Sequence, residues 1–366
     1  MKSIEQIRNL MQARLVQADS YDGVYPLDVL AKEAGIDEAQ VVKLDGNENL
    51  YGPSPQVAAA LASYKNYHIY PDPEQRRVRE ALAEYTDSDP DRIVAGVGSD
   101  EIIDLLLRLF VAPGERVLQC VPTFGMYATF TKLVGGELIS VPRTSSFDID
   151  IQAVRGAADG AKILFLTSPN NPTGNLVSEE TVRDLLQLDL LVVVDEAYYE
   201  FSGHTVANLV PEYSNLVVLR TFSKWAGLAG LRIGYGIMDP AVAERLLVIK
   251  PPYNITVASE VALLSSLQDK ELLISRVNNL VEERDKLYDE LLQISKIDPI
   301  MSKANFILCH LQDGLGQYVY KELAKRGIFV RYYNTTLLKD YIRTSVGLRH
   351  HNQALVTALH EILGQE

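Results

Sequence analysis

The sequence predicts an α/β fold, in which a large domain has a mostly parallel central sheet flanked by helices and a smaller α+β domain lies beside it. Between about residues 75 and 250, short β-branched runs alternate with helical patterns, as βαβ units require. These runs are almost continuously apolar, which is typical of strands covered on both faces. After Pro251 and Pro252 the pattern changes to a long charged amphipathic helix, which indicates a passage into a second domain.

The strands of the large domain are expected in five apolar runs. They are residues 116–121, 162–167, 190–195, 215–220 and 232–237. A helix is expected over residues 100–111, because the apolar residues of this segment fall on one stripe and a Pro-Gly pair follows it. Residues 124–134 form a second helix candidate with a weaker pattern.

The carboxyl-terminal part predicts an α+β unit. Its long helix covers about residues 269–297. A strand at 305–310, a helix at 315–326, strands at 328–331 and 341–346, and a closing helix follow it. We therefore expect residues 51–268 to form the large domain and residues 269–366 to form the small one, with residues 1–50 packed against the small domain. A ligand cleft is expected between the two domains.

The charge balance argues against polyanionic partners. The chain has 35 Lys and Arg against 48 Asp and Glu, a net charge of −13, and no stretch gathers its basic residues. Nucleic acid and anionic membranes are therefore poor partners. The longest aliphatic runs fall far short of the roughly 20 residues that span a bilayer. The amino terminus carries charges throughout and has no apolar secretory block, so we expect a cytoplasmic protein.

The sequence gives no sign of a disulfide or a metal centre. Cys120 and Cys309 both lie in apolar strand-like runs, where a buried reduced thiol is the expected state. The six histidines do not fall at the spacing of metal ligands, so we expect no bound metal.

A lysine and an arginine follow the expected strand at 215–220. Lys224 lies just beyond a buried strand, where partial desolvation lowers a lysine pKa and leaves the amine nucleophilic. Arg232 can offer a two-pronged donor to a phosphate, and the hydroxyls of Thr221 and Ser223 can donate to the same group. The segment therefore indicates an anion site next to a reactive amine. A solvated lysine in a surface turn is the alternative.

Two other strand ends carry polar side chains. Asp195 ends an apolar strand, and ligands of open α/β sheets bind beyond the carboxyl ends of the strands. The alternative is that this carboxylate only caps a helix. Asn171 lies in a tight Pro- and Gly-containing loop after the strand at 162–167 and offers an uncharged amide. An amide, a carboxylate and Lys224 are thus expected to face one crevice.

A glycine-containing loop opens the helix at 100–111. The backbone N–H groups of Gly98, Ser99 and Asp100, together with the helix dipole, can bind an anion. A lone Gly-x-Gly is weak evidence, and the loop is not the dinucleotide fingerprint, because its third glycine is replaced by Glu101.

Taken together, the motifs resemble a known family. SPNNPTG, DEAYYEF and TFSKWAGLAGLRIGY, in this order, are similar to the pyridoxal-phosphate aminotransferases of fold type I. The segments LDGNENLYGPSP, YPDPEQRRVREALA, GVGSDEIIDLLLRLF and GIFVRYYNTTLLKDYIRTSVGLRHHN narrow the resemblance to the histidinol-phosphate aminotransferase subgroup. The resemblance covers most of the chain.

The resemblance implies a cofactor, pyridoxal 5'-phosphate, and a role for each matched residue. Lys224 would hold the cofactor covalently and later move a proton at the substrate α-carbon. Asp195 would pair with the protonated ring nitrogen. Tyr198 and Asn171 would hydrogen-bond the phenolic oxygen of the ring.

The resemblance also implies how the ring and the phosphate are bound. Phe124 would stack on the ring, with Tyr127 as the alternative. The phosphate would be bound by Gly98, Ser99, Asp100, Thr221, Ser223 and Arg232. Tyr70 would reach the phosphate from a second subunit, which requires a homodimer.

Substrate recognition is implied for the small domain and the amino-terminal segment. Arg343 would clamp the carboxylate of glutamate, and with Arg331 it would bind the phosphate of histidinol phosphate. Tyr25 and Asn47 are further candidates for substrate contact.

The implied activity is a ping-pong transamination in histidine biosynthesis. It interconverts histidinol phosphate and 2-oxoglutarate with imidazole-acetol phosphate and glutamate. An aromatic-amino-acid aminotransferase or an amino-acid-phosphate decarboxylase of the same fold is the alternative. A non-catalytic binding or regulatory protein is the alternative of another class, against which the intact Lys224, Asp195, Tyr198 and Arg232 argue.

Overall fold

The computed structural model describes residues 4–16 and 23–364, and it contains two β-sheets. Residues 1–3 and 17–22 of the amino-terminal segment lie outside the described part. The strands, numbered in chain order, are β1 (Val42–Leu44), β2 (Ile93–Gly96), β3 (Arg116–Val121), β4 (Glu137–Pro142), β5 (Ala161–Thr167), β6 (Leu191–Asp195), β7 (Leu216–Thr221), β8 (Gly234–Ile237), β9 (Ile297–Pro299), β10 (Phe306–Leu311), β11 (Ile328–Tyr332) and β12 (Tyr341–Ser345).

The helices of the described residues cover the faces of the sheets and connect their strands. They are α1 (Ile4–Arg8), α2 (Ala13–Val16), α3 (Leu27–Ala34), α4 (Pro55–Ser63), α5 (Arg76–Thr86), α6 (Gly98–Phe110), α7 (Met126–Val134), α8 (Ile151–Ala157), α9 (Glu179–Leu185), α10 (Tyr199–Ser202), α11 (Pro240–Ile249), α12 (Val257–Gln268), α13 (Lys270–Leu292), α14 (Gly316–Lys325) and α15 (Arg349–Leu363).

The larger sheet has seven strands in the order β2-β8-β7-β6-β5-β3-β4. Strands β3 to β7 pair in parallel, and β8 runs antiparallel to both of its neighbours. The predicted α/β class with a mostly parallel sheet is therefore confirmed. The five expected runs match strands, whereas β2 and β4 were not predicted. β4 lies at the sheet edge and is only partly buried, so its sequence lacks the continuous apolar run of a central strand.

Two hydrophobic cores lie on opposite faces of the larger sheet. Val192 and Val194 of β6 face one core, and Val193 faces the other, because successive side chains of a strand point to opposite faces. In β7, Val218 faces the first core and Leu219 the second. This alternation decides which polar side chains at the strand ends lie on the same face.

The smaller sheet has five strands in the order β1-β11-β12-β10-β9. Strand β1 joins it in parallel with β11, so part of the amino-terminal segment packs with carboxyl-terminal strands. Helix α13 connects the two sheets, since its amino-terminal half packs in a core of the larger sheet and its carboxyl-terminal half packs against the smaller one. The expected helix at 269–297 ends early, at Leu292, because the chain turns into β9. The domain boundaries stay a prediction.

Three further properties hold for residues 4–16 and 23–364. No helix there is both long and apolar enough to cross a bilayer. No group of three or more His, Cys, Asp and Glu side chains is arranged there to hold a metal ion. Both cysteines, Cys120 and Cys309, are buried and free.

Gly227 approaches a neighbouring backbone segment closely. Its φ is +67°, and a Cβ there would lie 2.6 Å from the carbonyl carbon of Gly52. We expect Gly227→Ala to lower the free energy of unfolding by about 2–4 kcal/mol, because it adds left-handed backbone strain to a steric clash. Guanidinium chloride unfolding followed by circular dichroism measures this change.

Gly156→Ala is the matched control for this prediction. Gly156 lies in α8, and nothing lies within 4 Å of where its Cβ would stand. Alanine is favoured over glycine inside a helix by about 0.5–1 kcal/mol, so this variant should be slightly more stable than the wild type. A Gly227→Ala protein as stable as the wild type would contradict the close approach.

Candidate active site

A cavity of about 810 Å³ lies at the carboxyl ends of the parallel strands β3, β5, β6 and β7. Side chains from both sheets line it, which places it in the predicted crevice. The sequence-predicted residues that line it are Asn47, Ser99, Asp100, Phe124, Asn171, Asp195, Tyr198, Thr221, Ser223, Lys224, Arg232, Arg331 and Arg343. The structure thus brings together groups as far apart in the chain as Asn47 and Arg343.

Lys224 follows the end of β7 and is largely enclosed by the cavity. Its Nζ donates a hydrogen bond to the carbonyl oxygen of Gly46 at 2.9 Å. Burial, and then the positive charge of Arg343, lower the pKa of Lys224 to about 8. A far larger fraction of this amine is therefore neutral near pH 7 than in an exposed lysine. The amine can act as a nucleophile or a base.

Asp195 is the last residue of β6 and is almost fully buried. Its carboxylate accepts hydrogen bonds from the hydroxyl of Tyr127 at 2.7 Å and from the amide of Ala197 at 3.1 Å. Burial raises the pKa of Asp195 to about 6. A carboxylate in such a place is well suited to a cationic partner, since the low dielectric strengthens the attraction.

Tyr127 supports this carboxylate, a role that the sequence did not predict. Its ring is buried and stacks on Phe165, with 4.6 Å between the ring centroids. Its hydroxyl also hydrogen-bonds the hydroxyl of Thr167 at 2.8 Å. Tyr127 is not among the residues that line the cavity, whereas Phe124 is. Of the two aromatic candidates, the geometry therefore favours Phe124 for stacking on a ligand.

An anion cradle lies where α6 begins. Gly98 has a φ of +72°, and a Cβ there would lie 2.6 Å from Nη2 of Arg232. The guanidinium of Arg232 donates to the carboxylate of Asp100 at 2.9 Å and to the hydroxyl of Ser223 at 3.3 Å. The hydroxyl of Thr221 donates to Ser223 at 3.0 Å. Hydroxyls, a guanidinium and a helix amino terminus thus converge on one point, as a phosphate site requires.

Tyr198 is fixed by a hydrogen bond from Asn47, a residue of the amino-terminal segment. The side-chain amide of Asn47 donates to its hydroxyl at 2.9 Å. Burial raises the pKa of Tyr198 above its usual range. Asn47 itself is buried, and its backbone N–H donates to the hydroxyl of Ser345 in β12 at 2.8 Å. Asn47 therefore links the smaller sheet to a side chain at the end of β6.

Arg343 lies on β12 and is buried at the cavity wall. It donates to Oδ1 of Asn171 at 2.8 Å and to the backbone carbonyl of Asp45. Its Nε is buried and has no hydrogen-bond partner among the described residues. The guanidinium at the cavity wall can donate to an anionic ligand in the cavity.

The three remaining predicted residues are Arg331, Tyr25 and Tyr70, and only the first lines the cavity. Arg331 lines the cavity and donates to the carbonyl of Gly23 at 3.2 Å. Tyr25 is exposed and lines a groove beside the cavity rather than the cavity itself. Tyr70 does not line the cavity of its own chain and is 77% exposed, with its ring stacked on that of Tyr253.

The chain resembles known proteins over nearly its whole length. Residues 39–361 match the family model of Aminotransferase class I and II. The chain is 45% identical to a histidinol-phosphate aminotransferase of Roseiflexus castenholzii, over 97% of this chain and 99% of the relative. It is 42% identical to a chloroplastic histidinol-phosphate aminotransferase of Nicotiana tabacum, over 95% and 86% of the two chains.

A solved structure agrees with these relatives. The histidinol-phosphate aminotransferase from Sinorhizobium meliloti, in complex with pyridoxal-5'-phosphate, has a TM-score of 0.89 at 24% identity and covers 97% of this chain and 98% of its own. These findings confirm the predicted fold class and the resemblance on which the prediction of a pyridoxal-phosphate-dependent aminotransferase rests. The chain belongs to the aminotransferase class I and II family.

Proposed function

We propose that the chain is a histidinol-phosphate aminotransferase that exchanges an amino group between histidinol phosphate and 2-oxoglutarate. One observation carries the proposal. A lysine of lowered pKa, a buried carboxylate and an anion cradle converge on a single cavity, which Arg343 closes from the other sheet. The relatives named above support the choice of substrate. Histidine biosynthesis and a cytoplasmic location are parts of the same proposal.

The residues present fit pyridoxal 5'-phosphate. The phosphate suits the cradle, because glycine at position 98 leaves room beside Arg232 that a Cβ would fill. Asp195 would hold a positive charge on the ring nitrogen, and Phe124 would cover the ring. When bound, this cofactor supplies an electron-withdrawing ring that stabilises negative charge on the substrate α-carbon. The residues proposed to bind it are Gly98, Ser99, Asp100, Phe124, Asn171, Asp195, Tyr198, Thr221, Ser223, Lys224 and Arg232.

Lys224 has two tasks in this proposal. Its amine attaches the cofactor, and in the neutral form it accepts the proton from the substrate α-carbon at Nζ. The carbonyl of Gly46 orients the amine through the hydrogen bond at 2.9 Å. Two further polar groups that line the cavity are fixed by hydrogen bonds. Asn47 donates to the hydroxyl of Tyr198, and Arg343 donates to the side chain of Asn171.

Arg343 serves both amino donors. Its guanidinium would donate to an oxygen of the glutamate carboxylate or of the phosphate ester, and Arg331 would add a second cation. A single anion site can therefore accept the two substrates of a ping-pong reaction. Asn47 lies within reach of this site, and Tyr25 could contribute from the adjoining groove.

A substrate comparison tests the proposed activity. With 2-oxoglutarate as acceptor, we expect the initial rate with histidinol phosphate to exceed that with phenylalanine by about tenfold or more. Threonine phosphate should release no carbon dioxide. A faster rate with phenylalanine, or decarboxylation of threonine phosphate, would assign the chain to another activity.

Arg343→Lys keeps the charge but loses the fork geometry, and it should lower kcat/KM for both histidinol phosphate and glutamate by about a hundredfold.

The pKa of Lys224 predicts how cofactor attachment depends on pH. Below about pH 8 the amine is protonated and unreactive, and above it the amine is neutral. The rate at which the apoprotein gains the visible absorbance band of bound pyridoxal phosphate should therefore rise with pH and level off above this value. Arg343→Gln removes a nearby cation, so the midpoint should move to higher pH.

Two controls accompany this measurement. Lys224→Ala should gain no visible band at any pH. Arg116→Gln removes an exposed arginine on β3, far from Lys224, and should leave the midpoint unchanged. A midpoint above pH 10 in the wild type, or a downward shift in Arg343→Gln, would refute the assigned role of Lys224.

A homodimer completes the proposed site. The stacked pair of Tyr70 and Tyr253, with 4.4 Å between the ring centroids, is exposed beside Tyr67 and Ile69. Apolar side chains gathered on a surface in this way are typical of interfaces. We assign Tyr70 to the phosphate site of the partner subunit, in line with the sequence prediction.

Subunit complementation tests this assignment. Lys224→Ala and Tyr70→Ala homodimers should both be poorly active. Mixed dimers should regain activity, because the Tyr70→Ala subunit supplies Lys224 and receives an intact Tyr70 from its partner. Random mixing of equal amounts gives half hybrids with one complete site each, so about a quarter of wild-type activity is expected. Refolding without any gain in activity, while sedimentation shows that hybrids form, would place Tyr70 in its own chain's site or in none.

A further inference from the structure

A buried ion pair lies directly behind the cavity and takes no part in the mechanism described above. Glu196 is 1% exposed and Arg220 is 3% exposed. Oε2 of Glu196 accepts hydrogen bonds from Nε and Nη2 of Arg220 at 3.1 and 3.0 Å. The hydroxyl of Thr205 and the backbone N–H of Val206 donate to the same carboxylate, each at 2.7 Å. Both charges are therefore well compensated.

The pair joins the ends of two neighbouring strands. Glu196 directly follows Asp195 at the end of β6, and Arg220 directly precedes Thr221 at the end of β7. Because successive side chains alternate between faces, Asp195 and Thr221 point toward the cavity and the ion pair lies on the opposite face. The two strands are thus clamped at the positions adjacent to two proposed cofactor ligands.

The same guanidinium also reaches the segment that follows β6. The guanidinium carbon of Arg220 lies 3.7 Å from the centroid of the Tyr199 ring. Tyr199 is the neighbour of Tyr198, whose hydroxyl faces the cavity. Arg220 therefore contacts the residue after Asp195 and the residue after Tyr198, and it is itself the residue before Thr221.

Stability alone is a poor explanation for this arrangement. Removing two charges from water is costly, and well-packed apolar residues in place of a buried ion pair are often equally stable. What an ion pair adds is a fixed distance and direction between the groups that it joins. This geometry matters most where the next residue along each strand must meet a ligand.

We propose that Glu196 and Arg220 form a positioning pair that holds Asp195, Tyr198 and Thr221 in the arrangement that binds the cofactor. The inference rests on the proposed pyridoxal-phosphate site. Neither residue is among those that line the cavity, and both act through their neighbours in the chain.

The test measures cofactor affinity on folded protein rather than activity. Pyridoxal phosphate is titrated into apoprotein, and binding is followed by visible absorbance and by the visible circular dichroism of the bound cofactor. Arg220→Lys keeps the charge but loses the two-pronged contact, and it should raise the dissociation constant on the order of ten- to a hundredfold. The visible circular dichroism should weaken as well, because the ring is held less firmly.

A double variant separates positioning from stability. Glu196→Gln alone removes the hydrogen-bonded counter-charge of Arg220, leaves Glu200 as its buried acidic neighbour, and is expected to destabilise the fold. Glu196→Gln combined with Arg220→Gln removes both charges of the pair, and the loss of Arg220 favours the neutral form of the neighbouring Glu200, whose pKa burial already raises to about 7. The double variant should therefore recover most of the midpoint of denaturant unfolding while its cofactor affinity stays low. Leu291→Ala, in the core of the smaller sheet, is the control, since it lowers stability and should leave the dissociation constant unchanged.

The outcomes are distinct. Wild-type affinity in both Arg220→Lys and the double variant would overturn the positioning role and leave the proposed function intact. An affinity loss in Leu291→Ala as large as in Arg220→Lys would also overturn it, because general destabilisation would then explain both. Wild-type protein that binds no pyridoxal phosphate would overturn this inference and the proposed function together.

Discussion

Burial of the larger sheet on both faces is the constraint on which the site depends. The central strands are covered by two separate cores, so a polar group at the end of β6 or β7 is largely removed from water. The same burial moves two pKa values toward neutrality, upward for Asp195 and downward for Lys224. An acid and an amine that would differ by more than six pKa units in water are thereby brought within about two units of each other. The fold therefore shifts the pKa values of both groups without any ligand.

Charge within the cavity then couples the substrate to the lysine. After burial, the largest influence that lowers the pKa of Lys224 is the charge of Arg343. An anion bound to Arg343 would compensate this charge, so its repulsion of the lysine ammonium would weaken. The amine would consequently be more basic when an anion occupies the site, which is when the proposed mechanism has it accept a proton. Recognition of the anion and basicity of Lys224 are thus linked through one arginine.

The sequence could predict the parts of the site that follow continuous apolar strands. Asp195, Lys224 and Asn171 all end or follow such runs, and the rule for parallel strands brings them together. Tyr127 escaped prediction, because a helical pattern that contains both Phe124 and Tyr127 does not show which ring faces the ligand and which supports the carboxylate. The pairing of β1 with β11 was not predicted either, because it joins segments almost 300 residues apart and no local sequence pattern marks the two strands as partners.

The segment from Asp45 to Asn49 makes the two sheets act on the cavity together. Its carbonyls accept from Arg343 and from Lys224, while Asn47 hydrogen-bonds both Ser345 on the smaller sheet and Tyr198 beside the larger one. The acceptor of Lys224 and the donor to Tyr198 are therefore fixed relative to Arg343 on the smaller sheet. Because these bonds are buried, they cannot be exchanged for water at little cost. The guanidinium on β12 and the amine at the end of β7 are consequently held by acceptors on one short segment, which ties the two walls of the cavity together.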